Sequence, residues 1–229
     1  MKIKKEKELF DLFVEKDGFR ESLQTPFVDK TDGRVWASDG YILIMVNPKC
    51  ISRKYDTRDM SKGKMNVCDY NCDHIVDVAD MENAIDRLPK CPEVITKKTE
   101  CPECHGTGYV YTTYTASSNG KWYDDLKTEC PVCDGIGELD REETHTGRMV
   151  PKYDSSIKIG EGSFMFRKIE TVIDACKKLG VTQIRLIRTC RKGMSVFALS
   201  DDVHIALNTM INPEGKEVKA DAEVTITNM

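Results

Sequence analysis

The chain has 229 residues, 40% of them hydrophobic and 31% charged, with a formal net charge of -4. This balance excludes bulk disorder and gives no global basic charge for nucleic acid, although an average hides local patches. No run of about 18 apolar residues occurs and no apolar core follows the basic start Met1–Lys7, so neither a transmembrane helix nor a signal peptide is expected. Ten cysteines without an export signal point to metal thiolates and buried free thiols in a cytoplasmic protein rather than to disulfides.

In chain order, residues 1–5 read as a first strand around Ile3. Glu6–Lys16 reads as a helix with Leu9, Phe10, Phe13 and Val14 on one side, ended by Gly18. Thr25–Asp29 and Val35–Ser38 form a hairpin across the Asp32-Gly33 turn, and Tyr41–Val46 is an apolar strand stopped at Pro48. Residues 49–66 are a basic loop. Ile75–Val78 is a strand, and Asp80 is placed to cap a helix through Leu88 with the stripe Met81, Ala84, Ile85 and Leu88.

Residues 90–148 change in character, being rich in Thr, Gly, Cys and Tyr and poor in Leu, Ile and Val. Such a segment lacks the apolar side chains for a core of its own and needs a staple. Tyr109–Thr115 alternates like a strand, Asn119-Gly120 marks a turn, and Lys121-Trp122-Tyr123 begins the return. After Pro151 the globular pattern resumes. It predicts a strand at Ser156–Ile159, a helix capped by Ser163 and closed by Gly180, three strands (Gln183–Arg188, Met194–Ser200, Val203–Ile211) and an edge strand near Glu223–Ile226. The expected architecture is α+β: a host domain of residues 1–89 and 150–229 with antiparallel sheets and packed helices, interrupted by a zinc-stapled β-hairpin at 90–149.

The staple is explicit. Cys101-Pro102-Glu103-Cys104-His105-Gly106-Thr107-Gly108 and Cys130-Pro131-Val132-Cys133-Asp134-Gly135-Ile136-Gly137 share the pattern C-P-x-C-x-G-x-G, with 21 residues between them. Two Cys-x-x-Cys pairs supply the four soft ligands of a tetrahedral zinc ion, so Cys101, Cys104, Cys130 and Cys133 are assigned to one structural Zn2+. The glycines permit the positive φ needed to turn each knuckle and aim amides at the thiolates. Cys68, Cys72 and His74, with Cys50 or Cys91, are a weaker candidate for a second site, because their spacing matches no standard ligand pair.

The C-P-x-C-x-G-x-G repeats resemble the cysteine-rich zinc domain of the DnaJ co-chaperones. That family carries four repeats and two zinc ions; two repeats imply one ion here, and no His-Pro-Asp tripeptide accompanies them. The resemblance implies a zinc-held knob facing a protein or nucleic acid. The host is similar to a module of the bacterial DNA polymerase sliding clamp. Lys2–Val46, with Ala37-Ser38-Asp39-Gly40-Tyr41 at its strand junction, looks like one half-module. Ile157–Met210 looks like a second, with Met194–Ser200 and Val203–Met210 as its last strands. This resemblance implies a non-catalytic partner of DNA or replication proteins and a homo-oligomer.

Arg167, Lys168, Lys177, Lys178, Arg185 and Arg188 are the candidate phosphate contacts, with a solvated helix face as the alternative. Tyr111, Trp122 and Tyr123 are the candidate contacts to a replication or client protein, in a chaperone-like or adaptor role. Packing as cross-strand pairs is the alternative fate of these rings. No phosphate loop, dinucleotide fingerprint or nucleophile motif occurs, and no enzyme activity or membrane partner is expected.

Overall fold

The computed structural model describes residues 2–15, 20–59, 71–211, 214 and 218–228. The chain divides into two compact units. One is assembled from both flanks, Met1–Pro89 and Pro151–Met229; the other is the contiguous stretch Lys90–Val150. Among the described residues no helix is long and apolar enough to cross a membrane.

The first flank supplies α1 (Glu6–Phe10), β1 (Phe27–Asp29), β2 (Val35–Ser38), β3 (Ile42–Val46), β4 (Thr57–Arg58), β5 (Asn71–Asp77) and α2 (Val78–Asp86). The inner unit follows with β6 (Lys90–Glu100), β7 (Tyr109–Thr115), β8 (Trp122–Glu129) and β9 (Glu138–Pro151). The second flank gives β10 (Ser156–Ile159), β11 (Gly162–Met165), α3 (Phe166–Leu179), β12 (Gln183–Arg188), β13 (Met194–Ser200), β14 (Val203–Asn208), β15 (Ala222–Glu223) and β16 (Thr227–Asn228).

The flanking unit is built on a nine-stranded sheet in the order β16-β5-β12-β13-β14-β3-β2-β1-β4. Its centre is made twice from the same plan, a helix followed by a three-stranded antiparallel meander: α1 with β1–β2–β3, and α3 with β12–β13–β14. The two copies join through their last strands. β14 and β3 pair antiparallel, with Val203 opposite Val46, Ile205 opposite Ile44 and Leu207 opposite Ile42.

These strands read as nearly unbroken apolar runs because both faces are buried. On one face Ile42, Ile44, Val46, Ile205, Leu207 and Phe197 enter a core shared with all three helices and the small sheet β11-β10-β15. On the other face Phe27, Trp36, Leu43, Met45, Met194, Val196 and Ala206 form a second cluster.

Several expected boundaries move. Residues 2–5 are not a strand, although Ile3 is buried and its amide bonds the Cys50 carbonyl at 2.8 Å. The first helix stops at Phe10 because Leu12 and Phe13 bond only three residues back, to Leu9 and Phe10, and tighten the chain into turns. The predicted helix end at Lys16 and Gly18 lies outside the described residues, as do parts of the basic loop and tail. The second helix starts at Val78, ahead of Asp80. Thr182 accepts from the Val78 amide at 2.9 Å, so a backbone carbonyl does the capping. Ser163 likewise caps nothing. It pairs with Lys158 inside β11, and the third helix begins at Phe166, whose amide meets the Ser155 carbonyl at 3.2 Å. Gly180 does end that helix, at φ 68°. The tail gives two short strands, one parallel to β10 and one antiparallel to β5, in place of one edge strand.

Ile205 is fully buried at the joint between the two meanders. Ile205→Ala is expected to lower the stability of the flanking unit by about 2–5 kcal/mol, through lost burial and a cavity the sheet cannot close. Urea denaturation followed by circular dichroism reads the loss. An unchanged midpoint would show that the joint is not under packing constraint.

Candidate metal centre

The inner unit contains two ribbons, β6 paired with β9 and β7 paired with β8, with the cysteine motifs where they meet. β6 leads into the first knuckle and β7 leaves it. β8 leads into the second and β9 leaves it. All four cysteines are buried, although most side chains around them are exposed.

Their sulfurs lie within 4.8 Å of one another, with Cys101 Sγ 3.8 Å from Cys130 Sγ and Cys104 Sγ 3.7 Å from Cys133 Sγ. A tetrahedron with metal–sulfur bonds of about 2.3 Å has edges of about 3.8 Å, so the spacing suits one thiolate-bound ion. It is far beyond a disulfide bond of about 2.05 Å. The four cysteines can therefore hold one metal ion, and a full protein shell leaves no open coordination position.

The knuckles are related by a local two-fold repeat that runs further than the cysteine pattern. The Cys101 amide bonds the Gly137 carbonyl and the Cys130 amide bonds the Gly108 carbonyl, both at 2.8 Å. The Gly108 amide donates to Cys104 Sγ at 3.3 Å and the Gly137 amide to Cys133 Sγ at 3.1 Å. Thr99 Oγ1 donates to the Leu139 carbonyl, and Thr128 Oγ1 to the Val110 carbonyl. Val110 and Leu139 each pack against the cysteines. The repeated unit is thus T-E-C-P-x-C-x-G-x-G-x-[VL], residues 99–110 and 128–139. The flanking Thr-Glu and the apolar residue two places after the last Gly are visible in the sequence and were missed by reading the cysteine motif alone.

Gly108 and Gly137 are required by close approach as well as by φ, at 75° and 84°. A Cβ on Gly108 would lie 2.2 Å from the Gly135 carbonyl oxygen, and one on Gly137 would lie 2.4 Å from that of Gly106. Each knuckle thus needs the other's bare backbone.

The thiols differ in acidity. Burial opposes ionisation of Cys101, yet the amides of Cys104 and Glu103 and the neighbouring thiols outweigh it and bring it down to about 7. Burial raises Cys133 to about 11, and the Cys130, Cys104 and Cys101 thiols add to that against the Gly137 amide. Thiolates packed this closely would repel one another, and a metal cation among them would favour the ionised ligands and release protons on binding.

Among the described residues the four-cysteine group is the one cluster of three or more metal-ligating side chains. Cys72 and His74 point inward from β5, where Cys72 Sγ donates to the Leu186 carbonyl at 3.2 Å and His74 Nδ1 is buried with no hydrogen-bond partner among the described residues. Neither is grouped with Cys50 or Cys91, and Cys68 lies outside the described residues.

The six candidate phosphate contacts do not form one free patch. On α3, Lys177 pairs with Glu82 at 2.6 Å, Lys178 with Glu8 at 3.3 Å and Lys168 with Asp39, while Arg167 lies over the Tyr153 ring at 4.6 Å. Arg185 forms a two-pronged pair with Asp73, at 3.0 and 3.1 Å, on the sheet face away from the helices. Arg188 is half-buried further along the same strand.

The groove between α2 and α3 is lined by Glu82, Asp86, Glu170 and Asp174 with Lys177. Burial, reinforced by Asp174 and opposed by Arg167, holds the Glu170 carboxyl above its usual range. The aromatic candidates lie on the β7–β8 hairpin, where Tyr111 faces Lys127, Trp122 faces Thr115 and Tyr123 faces Tyr114. All are exposed, so the alternative of cross-strand packing does not cover them.

No protein-family model matches the chain, and no curated protein matches it. Among solved structures the chain is similar to the DNA polymerase III subunit beta from Pseudomonas aeruginosa. The identity is 11%, the match covers 90% of this chain and 65% of that one, and the TM-score is 0.41. It is also similar to a DNA polymerase sliding clamp from Bacillus subtilis, at 12% identity over 78% of this chain and 41% of that one, with a TM-score of 0.28. A Pseudomonas aeruginosa sliding clamp bound to griselimycin gives 12% identity over 78% and 42%, also with a TM-score of 0.28. The chain spans less than two thirds of the length of each.

Gly108→Ala and Gly137→Ala are expected to abolish stoichiometric metal retention, because each drives a methyl group into the opposite knuckle. Gly120→Ala, at φ 63° with nothing within 4 Å of its Cβ, is expected to retain the metal at a cost of about 1 kcal/mol. Elemental analysis of the purified variants checks this. Full metal content in Gly108→Ala would show that the interlock is dispensable.

Proposed function

We propose that the chain is a non-catalytic binding protein: a sliding-clamp-like α+β domain carrying a zinc-stapled hairpin unit, which works with replication proteins. The observation that carries the reading is the doubled helix-and-meander plan, with both meanders joined by their last strands and all three helices sharing the core on one side of the sheet. Two such half-modules are what the clamp-like pattern in Lys2–Val46 and Ile157–Met210 calls for. Zinc is the metal of choice for four buried thiolates at tetrahedral spacing. Cys101, Cys104, Cys130 and Cys133 would hold it, and its part would be structural.

A protein partner is favoured over duplex DNA by charge. Lys168, Lys177, Lys178 and Arg185 are each committed to a carboxylate, and the groove between α2 and α3 is acidic. Phosphate binding would require those pairs to be broken. The adaptor-like reading, with contact made by the hairpin, is favoured by the exposure of Tyr111, Trp122 and Tyr123.

Interferometry with the immobilised full chain tests the proposal. The purified replicative polymerase of the source organism is expected to bind in the micromolar range. A duplex of about 30 base pairs is expected to bind no tighter than the non-specific scale of about 10⁻⁴ M. Tight duplex binding that falls steeply with salt, is lost in the Lys177→Glu/Lys178→Glu variant and comes without any polymerase binding would overturn the reading.

A further inference from the structure

The β7–β8 ribbon is an arm without a covering layer. Every described side chain from Tyr111 to Glu129 is exposed except Ala116, which is half-buried. Strand alternation and register divide the rings between two faces. Tyr111 and Trp122 lie on one face. Tyr114, Tyr123 and Leu126 lie on the other, because β8 carries one extra residue between Tyr123 and Leu126. Tyr111 is 69% exposed, Trp122 67% and Tyr114 56%, far from the usual fate of aromatic rings in a two-stranded ribbon. Both strands are sheet edges, so each has a row of backbone groups turned away from its partner.

Charge identifies the occupant. The inner unit, residues 90–150, holds seven Lys and Arg against eleven Asp and Glu, so it accounts for the chain's whole net charge of -4. Four thiolates on a divalent ion would add two more negative charges. The arm's own two lysines are already placed over rings, Lys127 over Tyr109 at 4.0 Å and Lys121 over Tyr123 at 5.7 Å. Among the described residues Tyr111, Tyr114 and Trp122 have no cation over them. The arm thus combines a negative field, vacant ring faces and free strand edges. Single-stranded nucleic acid would also stack on such rings, but its phosphates favour a positive groove and this unit is net negative.

We propose that the β7–β8 arm docks an extended cationic segment of a partner protein, which adds along a strand edge and sets Arg or Lys side chains over Tyr111, Tyr114 and Trp122. The inference rests on the protein-binding reading above and gives its partner a chemistry.

The test uses the zinc-loaded full chain and three probes of about twelve units: a peptide of alternating Arg and Leu, one of alternating Glu and Leu, and oligo-dT. Trp36 is 9% exposed, so acrylamide quenching of indole fluorescence reports mainly on Trp122. The Arg–Leu peptide is expected to shield Trp122 and to bind at least tenfold more tightly than the other two, with affinity falling as salt rises. Its affinity should drop about tenfold in Tyr111→Ala/Tyr114→Ala, in which Trp122 still reports, and in Trp122→Ala followed by peptide anisotropy. Both variants remove exposed rings and should keep one zinc per chain. Equal binding of the Arg–Leu peptide to the variants, or oligo-dT binding as tightly as that peptide, overturns the proposal. Polymerase binding that survives while the peptide fails would reject this inference and leave the protein-binding reading standing.

Discussion

The backbone contact between the two cysteine knuckles is the constraint on which the inner unit depends. Gly108 and Gly137 lie so close to the opposite loop that no side chain fits, and the Cys101 and Cys130 amides bond across to the carbonyls of the opposite glycines. That approach brings four thiols to tetrahedral spacing. It also concentrates groups that would carry like charge, which is stable only with a cation among them or with protons retained. Apolar packing adds little beyond the strand ladders: among the described residues Val110 and Leu139 are the hydrophobic side chains packed on the cysteines. The proposed zinc is therefore the core of the inner unit in the way that Ile44, Phe197 and Ile205 are part of the core of the flanking one.

The flanking unit solves the same problem by apolar burial. Its two meanders are copies of one plan, and their junction places β3 and β14 in the middle of the sheet, where both faces are covered. This explains why β3 is apolar at every position and β14 at all but His204 and Asn208, whereas β6 and β9 carry charges throughout. It also leaves the surface of the flanking unit to charged side chains that neutralise one another. Lys168, Lys177, Lys178, Arg185 and Arg191 each meet a carboxylate. Exposed pairs of this kind contribute little to stability, but they remove the free positive charge that phosphate binding would use. The arm's vacant rings in an acidic unit are the complementary feature, and the two together turn the functional reading towards a protein partner.

Much of this was legible in the sequence where one interaction dominates a segment. The cysteine pairs, the turn at Gly33, the helix ending at Gly180 and the three strands from Gln183 each follow from a local rule. The misplaced helix starts share a cause. Asp80 and Ser163 are good capping residues, but the Thr182 and Ser155 carbonyls reach the helix amides from elsewhere in the fold, and a tertiary contact cannot be read from a window of sequence. The β6–β9 ribbon was not anticipated because its strands mix charged and apolar residues on both faces and carry no period. Residues 99–110 and 128–139 repeat more fully than the cysteines suggest, and Thr99 with Thr128 was the readable sign. Charge pairing was hidden for a different reason: Lys178 meets Glu8 and Arg185 meets Asp73 across long stretches of chain, so a run of cations looked unopposed.

The central claim is that one tetrahedral metal–thiolate centre holds the inner unit together. X-ray absorption at the zinc edge of the purified chain measures it most directly. The account predicts a single shell of four sulfur scatterers at about 2.3 Å with no nitrogen or oxygen in it. A shell containing light-atom ligands, or a folded inner unit with no zinc bound, would contradict it.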